Sequence, residues 1–346
     1  MYNPETKQHL DYLDGWRGLA IALVLLGHFF HFGIVELGKF GVEFFFVLSG
    51  RLMAEILFIR QTSLKTFIPR RINRVYPALF VYVVIVAALA QFSETFAVGP
   101  KAVVAALMFL WDYVLAIPFL YRTEMFDHFW SLSVEEHSYL LLALIAFFFR
   151  KNLRLAAFVI LAVALLSFAN GIVSYSVLDQ GYFDTYWRFD VHVGSIFIST
   201  ALYCFQKMNI LPSTALLFWP SLIGAFVLSM SALPMPLHYS AATVCLALAI
   251  CNIDNAKVAT RLLSARPIRA LGLISYSLYL WQQPFYQLTT YDMLSVWLAL
   301  PLAVLCAYVS YLLIEKPARS YLNEAWDAFQ TKRAARQAGE EQSELA

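Results

Sequence analysis

Arg17 and His28 lie eleven residues apart in LDGWRGLAIALVLLGHFFHFG, residues 13–33, an otherwise apolar stretch long enough to cross a bilayer. Each has an ordinary use: an arginine near the end of a span anchors at the interface, and a lone histidine can bond a neighbouring helix. Ionisable groups at membrane depth are nevertheless costly, and those that persist tend to serve function. At 100° per residue, eleven steps bring a helix back to within about 20° of its starting direction and advance it about 16 Å. The two side chains therefore share one stripe, with Arg17 near one surface and His28 in the opposite half of the bilayer. An imidazole with an unperturbed pKa of about 6.5 can take the proton of a hydroxyl nucleophile, or can itself carry a transferred group. His28 and the more interfacial His31 have no third ligand beside them, so no metal is expected.

Chemistry at two depths needs a scaffold that spans the membrane. The 346 residues are 60% hydrophobic and 14% charged, and the mean hydropathy is +0.64. A soluble protein of this size carries far more charge. Apolar segments recur near 14–33, 41–59, 75–92, 102–120, 133–149, 155–170, 189–205, 213–232, 239–253, 271–288 and 294–314. The expected fold is therefore all-α and polytopic. The first segment is not a cleaved signal peptide, because a charge and a histidine interrupt it and no small-residue cleavage site follows. With a cytoplasmic N-terminus and 102–120 failing to cross, nearly all Lys and Arg fall on the inner side, and only Lys39, Lys101, Arg122 and Arg188 fall outside. If 102–120 crosses, the bias reverses. About ten spans are thus expected, with both termini cytoplasmic and 102–120, which contains Asp112 and Pro118, as a re-entrant or interfacial helix. Residues 1–320 read as one membrane domain. Residues 321–346 read as a charged cytoplasmic tail, one short helix ending in a disordered GEEQSELA. Cys204, Cys245, Cys251 and Cys306 lie in or beside apolar runs without a CxxC pair and read as packing residues.

This topology sorts the polar residues by depth. Arg70, Arg71 and Arg74, with Arg17, gather at the inner face, where guanidinium pairs bidentately with phosphate; anchoring and contact with anionic lipid are the simpler uses. Near the outer face are His28, Glu43, Trp130, Ser131, Glu135 and Glu136. Glu43 could accept from one ring nitrogen of His28 and leave the other as base, or could cap its own helix. Arg51 and Glu55, four apart, read as a mutually neutralising structural pair.

Six motifs in order carry a resemblance: LDGWRGLAIALVLLGH, GKFGVEFFFVLSG, FIPRRINRVYPAL, FWSLSVEEHSYLL, ISYSLYLWQQP and LLIEKPARSYL. Together they closely resemble the acyltransferase-3 family of integral membrane acyltransferases, from about residue 10 to 322. The resemblance implies transfer of an acyl group, often acetyl, from cytoplasmic acyl-CoA to a hydroxyl of a carbohydrate or lipid-linked glycan, at the bacterial inner membrane. It matches Arg17 and His28 to the family's functional arginine and histidine. It also suggests Arg70, Arg71 and Arg74 for the phosphates of coenzyme A, and Ser275, Tyr276, Tyr279 and Trp281 for its pantetheine arm. The outer residues Trp130, Ser131, Glu135 and Glu136 would meet the acceptor. The chain departs from the pattern at Arg51, where an aromatic is usual, at Glu135-Glu136-His137-Ser138-Tyr139, and at Gln282, where a histidine is common. The competing readings are acylation of a small cytoplasmic acceptor, such as an antibiotic sugar, and a glycan or lipid transporter, although no internal repeat is evident. No nucleic-acid partner is expected, and acceptor identity and oligomeric state stay open.

Overall fold

The computed structural model describes residues 10–30, 32–116, 123–149 and 151–344. The expectations at His31, Arg122 and Arg150, and the end of the 102–120 segment, lie outside these residues. Within them the chain is all-helical, and the β structure is limited to one isolated antiparallel bridge between Val35 and Met230. The helices are α1 (Asp11–Phe29), α2 (Leu37–Met53), α3 (Leu64–Leu89), α4 (Pro100–Leu107), α5 (Trp111–Ala116), α6 (Phe129–Phe149), α7 (Leu153–Ser176), α8 (Tyr182–Tyr186) and α9 (Phe189–Lys207). They continue with α10 (Phe218–Leu228), α11 (Met235–Tyr239), α12 (Ala241–Asn252), α13 (Lys257–Leu263), α14 (Arg266–Leu273), α15 (Ser275–Thr290), α16 (Val296–Ser310) and α17 (Lys316–Glu344).

Among the described residues, five helical stretches are long and apolar enough to cross a membrane: Leu64–Leu89, Phe129–Phe149, Leu153–Ser176, Met235–Asn255 and Val296–Arg333. Several present large apolar side chains outward, such as Phe147 and Phe148 on α6 and Leu165 and Leu166 on α7. Exposed apolar surface of this extent suits a lipid environment. The interior is built differently. α9 is buried without a break from Val191 to Ala201, and α2 and α7 pack against it. α1 lies between α2 and α14. The contact with α14 is backbone to backbone, because a Cβ at Gly18 would stand 2.0 Å from the carbonyl oxygen of Ile268. Small residues permit such closeness where hydrophobic driving force between membrane helices is absent.

Three local expectations are revised. Over its described part, the segment 102–120 is broken into α4, of 8 residues, and α5, of 6, with Phe109 at φ 55° between them. The described part is therefore two short helices and not the single re-entrant or interfacial helix expected. Arg51 does not pair with Glu55. It reaches Asp254 with both nitrogen–oxygen contacts at 2.6 and 2.7 Å and donates to the Ile250 carbonyl at 2.7 Å. α2 widens into a π turn at Ala54–Ile59, which takes Glu55 off the regular four-residue alignment; Glu55 instead accepts from Arg60 at 2.7 Å and Tyr203 at 3.1 Å. The tail is not a short helix with a frayed end. α17 runs to Glu344, consistent with the helix-forming Ala, Glu, Gln and Arg that fill it.

Candidate active site

α1 is unbroken from Asp11 to Phe29, so Arg17 and His28 keep the shared stripe. They open into different spaces. Arg17 lines a cavity of about 120 Å³ together with Arg71, Arg74, Glu135, Glu136 and Tyr276. His28 lines a second cavity of about 770 Å³, walled by Trp130, Tyr186, Tyr286, Gln283 and Gln287 among others.

The arginine cavity is built by α1, α2, α3, α6 and α15. Arg71 donates to Glu136 at 2.8 Å, stands 3.2 Å from Glu135, and lies 4.2 Å over the Tyr139 ring. Glu135 also accepts from Ser49 at 2.7 Å and from the Tyr139 hydroxyl. Arg17 bonds Asp14 at 2.9 Å, one turn back on its own helix. Arg74 lines the same cavity half-buried, with no hydrogen bond or ion pair among the described residues. An unmatched guanidinium facing a cavity is an anion site in waiting, because burying it uncompensated is otherwise expensive. Ser275 lines this cavity, and Tyr276 does so while donating to the Val75 carbonyl at 2.9 Å.

Glu135 and Glu136 therefore belong with the arginines and not with His28. From Trp130 on, α6 runs away from the histidine, so about one and a half turns move these carboxylates to the other cavity, while Trp130 stays behind. Ser131 also faces the arginine cavity. Arg70 is not at this site. It is exposed and meets Asp327 of α17 at 3.4 Å, because neighbours on a helix point about 100° apart. Trp281 is likewise turned away and packs against Tyr82, with ring centroids 5.3 Å apart.

His28 is held by α15. Its Nδ1 is 2.7 Å from Gln282 Oε1, and its ring stacks on Tyr286 with centroids 4.8 Å apart. The Gln282 amide nitrogen faces two acceptors, the Tyr279 carbonyl and Gln283 Oε1, each at 3.4 Å. That orientation leaves Oε1 for the imidazole, so Nδ1 carries the hydrogen and Nε2 keeps its lone pair. The close approach of α2 supports the ring from another side. A Cβ at Gly27 would stand 2.0 Å from the Gly38 nitrogen, and one at Gly38 would stand 3.3 Å from His28 Cδ2.

Glu43 does not serve His28. Its carboxylate meets His192 Nε2 at 3.1 Å and accepts from Thr243 at 3.0 Å, wholly buried among α2, α9 and α12. Glu43 turns toward α9 because one step along α2 from Val42, which lines the histidine cavity, swings a side chain by about 100°. Gln282 and His192 are the residues that sequence reasoning missed. Gln282 stood in a quoted motif as a missing histidine. His192 left only the weak signal of one imidazole inside an apolar run.

The fold is a helical, membrane-suited scaffold with a cationic cavity beside a histidine cavity. The acyltransferase domain family model matches residues 10–315, and the chain belongs to this acyltransferase-3 family. It is an enzyme of the O-acyltransferase class, integral to a membrane. The Komagataeibacter xylinus protein BcsY, named as a membrane-bound transacylase, is 27% identical over 93% of this chain and 86% of its own length. The Listeria monocytogenes peptidoglycan O-acetyltransferase OatA is 27% identical over 82% of this chain and 50% of its own length. The Staphylococcus aureus O-acetyltransferase OatA is 25% identical over 92% of this chain and 58% of its own length. The chain thus spans about half the length of the O-acetyltransferases it matches. No solved structure matches it.

Proposed function

We propose that the chain moves an acyl group, acetyl in the first instance, from acyl-CoA to a hydroxyl of a carbohydrate or glycan across the bacterial inner membrane. The scaffold has about ten spans with both termini cytoplasmic, so the arginine cavity faces inward and the histidine cavity outward. The observation that carries this reading is the pairing of the two cavities along one helix, with unmatched Arg74 in one and His28 in the other. Arg74 and Arg17 hold phosphate of coenzyme A, and Arg71 is the rigid floor fixed by Glu135 and Glu136. Ser275 and Tyr276 border the pantetheine arm. Trp130 and the amides of Gln283 and Gln287 border the sugar.

His28 Nε2 takes the hydroxyl proton as the acceptor oxygen attacks the thioester carbonyl. The C–S bond then breaks, and coenzyme A leaves as the thiol with that proton. Gln282 holds the tautomer that makes Nε2 the base, and no metal takes part. The relatives' names extend to peptidoglycan as an acceptor, and a cell-wall or surface glycan is the acceptor proposed here.

The test is sidedness. In sealed vesicles of known orientation, acyl-CoA should work only from the cytoplasmic face, and a membrane-impermeant glycan only from the opposite face. Reaction with both confined to the cytoplasmic side would sink the cross-membrane step and leave acylation of a small cytoplasmic acceptor.

A further inference from the structure

The two cavities share part of their walls. Among the described residues, Val42 of α2 and Tyr279 of α15 are the side chains that line both. Each is buried, at 7% exposure. Tyr279 is held from several directions. It donates its hydroxyl to the His128 carbonyl at 2.9 Å and shares a 2.6 Å hydrogen bond with Ser131. Its ring meets Phe45 edge-on, with centroids 6.3 Å apart, and lies against His128 at 5.4 Å. Val42 is β-branched and stiff at χ1. Both positions are also tied to the histidine. The Tyr279 carbonyl accepts from the Gln282 amide that meets His28, and Val42 stands one helical turn beyond Gly38, which abuts the His28 ring.

We propose that Val42 and Tyr279 form a septum between the donor and acceptor cavities that limits the size of the acyl group transferred. The inference rests on the reading above, in which the thioester arrives from the arginine side and reacts at His28. A thioester that enters this way advances acyl end first. An acetyl group puts one methyl ahead of its carbonyl. A longer acyl group must push its chain between the valine and the phenol before the carbonyl reaches Nε2, and must then share the histidine cavity with the acceptor. One extra methylene against a fitted apolar wall is worth about 10- to 200-fold in discrimination. The septum also separates the two aqueous mouths when no substrate bridges them.

The experiment uses membranes that contain the full chain with their endogenous glycan as acceptor. They are given labelled acetyl-, propionyl- and butyryl-CoA, and label in the glycan fraction is counted against a His28→Ala background. The unaltered chain should favour acetyl over butyryl by at least about 10-fold. Val42→Ala should raise the butyryl-to-acetyl ratio severalfold. Tyr279→Ala should raise it further, and Val42→Phe should depress propionyl and butyryl before acetyl. Val42→Ala removes only two methyl groups, so it decides the matter even where Tyr279→Ala fails to insert. An unchanged ratio in active Val42→Ala, or equal use of butyryl and acetyl by the unaltered chain, would overturn the septum while leaving the acyl-CoA reading intact. No label from any thioester in the unaltered chain would instead overturn the acyl-CoA reading, and the septum with it.

Discussion

The arginine cavity and the histidine cavity touch the same helices, α2, α6 and α15 among them, yet they are finished in different ways. The first is small and dense with charge. Arg71 is matched by Glu135 and Glu136 and Arg17 by Asp14, whereas Arg74 has no hydrogen bond or ion pair among the described residues. The second is several times larger, and it mixes aromatic rings and side-chain amides with the imidazoles of His28 and His128 and the charged Glu36, Lys39, Glu124 and Asp127. A rigid charged pocket with one open valence suits a ligand whose head group never changes. A roomy wall that mixes rings, amides and charged groups suits an acceptor recognised by its hydroxyls and faces. Under the proposed function, donor recognition would rest on the guanidinium groups of Arg74 and Arg17, and acceptor recognition would be spread over the many side chains of the larger cavity.

The sharpest way to break this comparison is His28→Ala. Loss of the base should lower transfer by about 10²- to 10⁴-fold, while the protein still inserts, because alanine suits a membrane helix. Near-normal labelling of glycan by that variant would remove the histidine cavity from the chemistry. Next in size is Arg74→Gln. Losing a charged contact to phosphate is worth about 1.5–3 kcal/mol, so KM for acetyl-CoA should rise by about 10-fold or more with kcat nearly held. Arg74→Lys should recover part of the loss, since it keeps the charge without the fork. An unchanged KM would mean that the open valence has another use.

Gln282→Leu should act more mildly and on the other constant. Without the acceptor for Nδ1–H the imidazole can adopt either tautomer, and kcat should fall by about 5- to 10-fold while KM for the donor stays put. A shift in donor KM instead would tie α15 to the arginine side. The smallest effect belongs to Arg70→Gln. Its partner Asp327 is exposed, and exposed pairs contribute about 0–1 kcal/mol, so donor kinetics should stay within about 2-fold. Equal damage from Arg70→Gln and Arg74→Gln would erase the distinction drawn between neighbours on α3.

Much of this protein was legible in the chain itself. Apolar period and length announce a helical membrane protein, because a spanning segment must satisfy its own backbone and can do so only as a helix or a closed barrel. The Arg17–His28 stripe also follows from spacing, since both residues sit on one regular helix whose geometry is local. The family resemblance could be read from six short motifs, and it pointed to the acyltransferase class.

What the sequence could not determine was partnership. His28 meets Gln282 across 254 residues, and Glu43 meets Thr243 across 200, distances at which no periodicity operates. Arg70 and Arg71 are equivalent as residue types and adjacent in the chain, yet one faces water and α17 while the other faces the cavity floor. Glu43 looked like the orienter of His28 because it lies near the start of the next helix, and the buried His192 of α9 took it instead. In each case the choice was made by which helix faces come together, and that depends on packing summed over the whole bundle. A charge in a membrane interior takes whatever partner that packing brings within reach, because leaving it unpaired costs more than any local preference can offset.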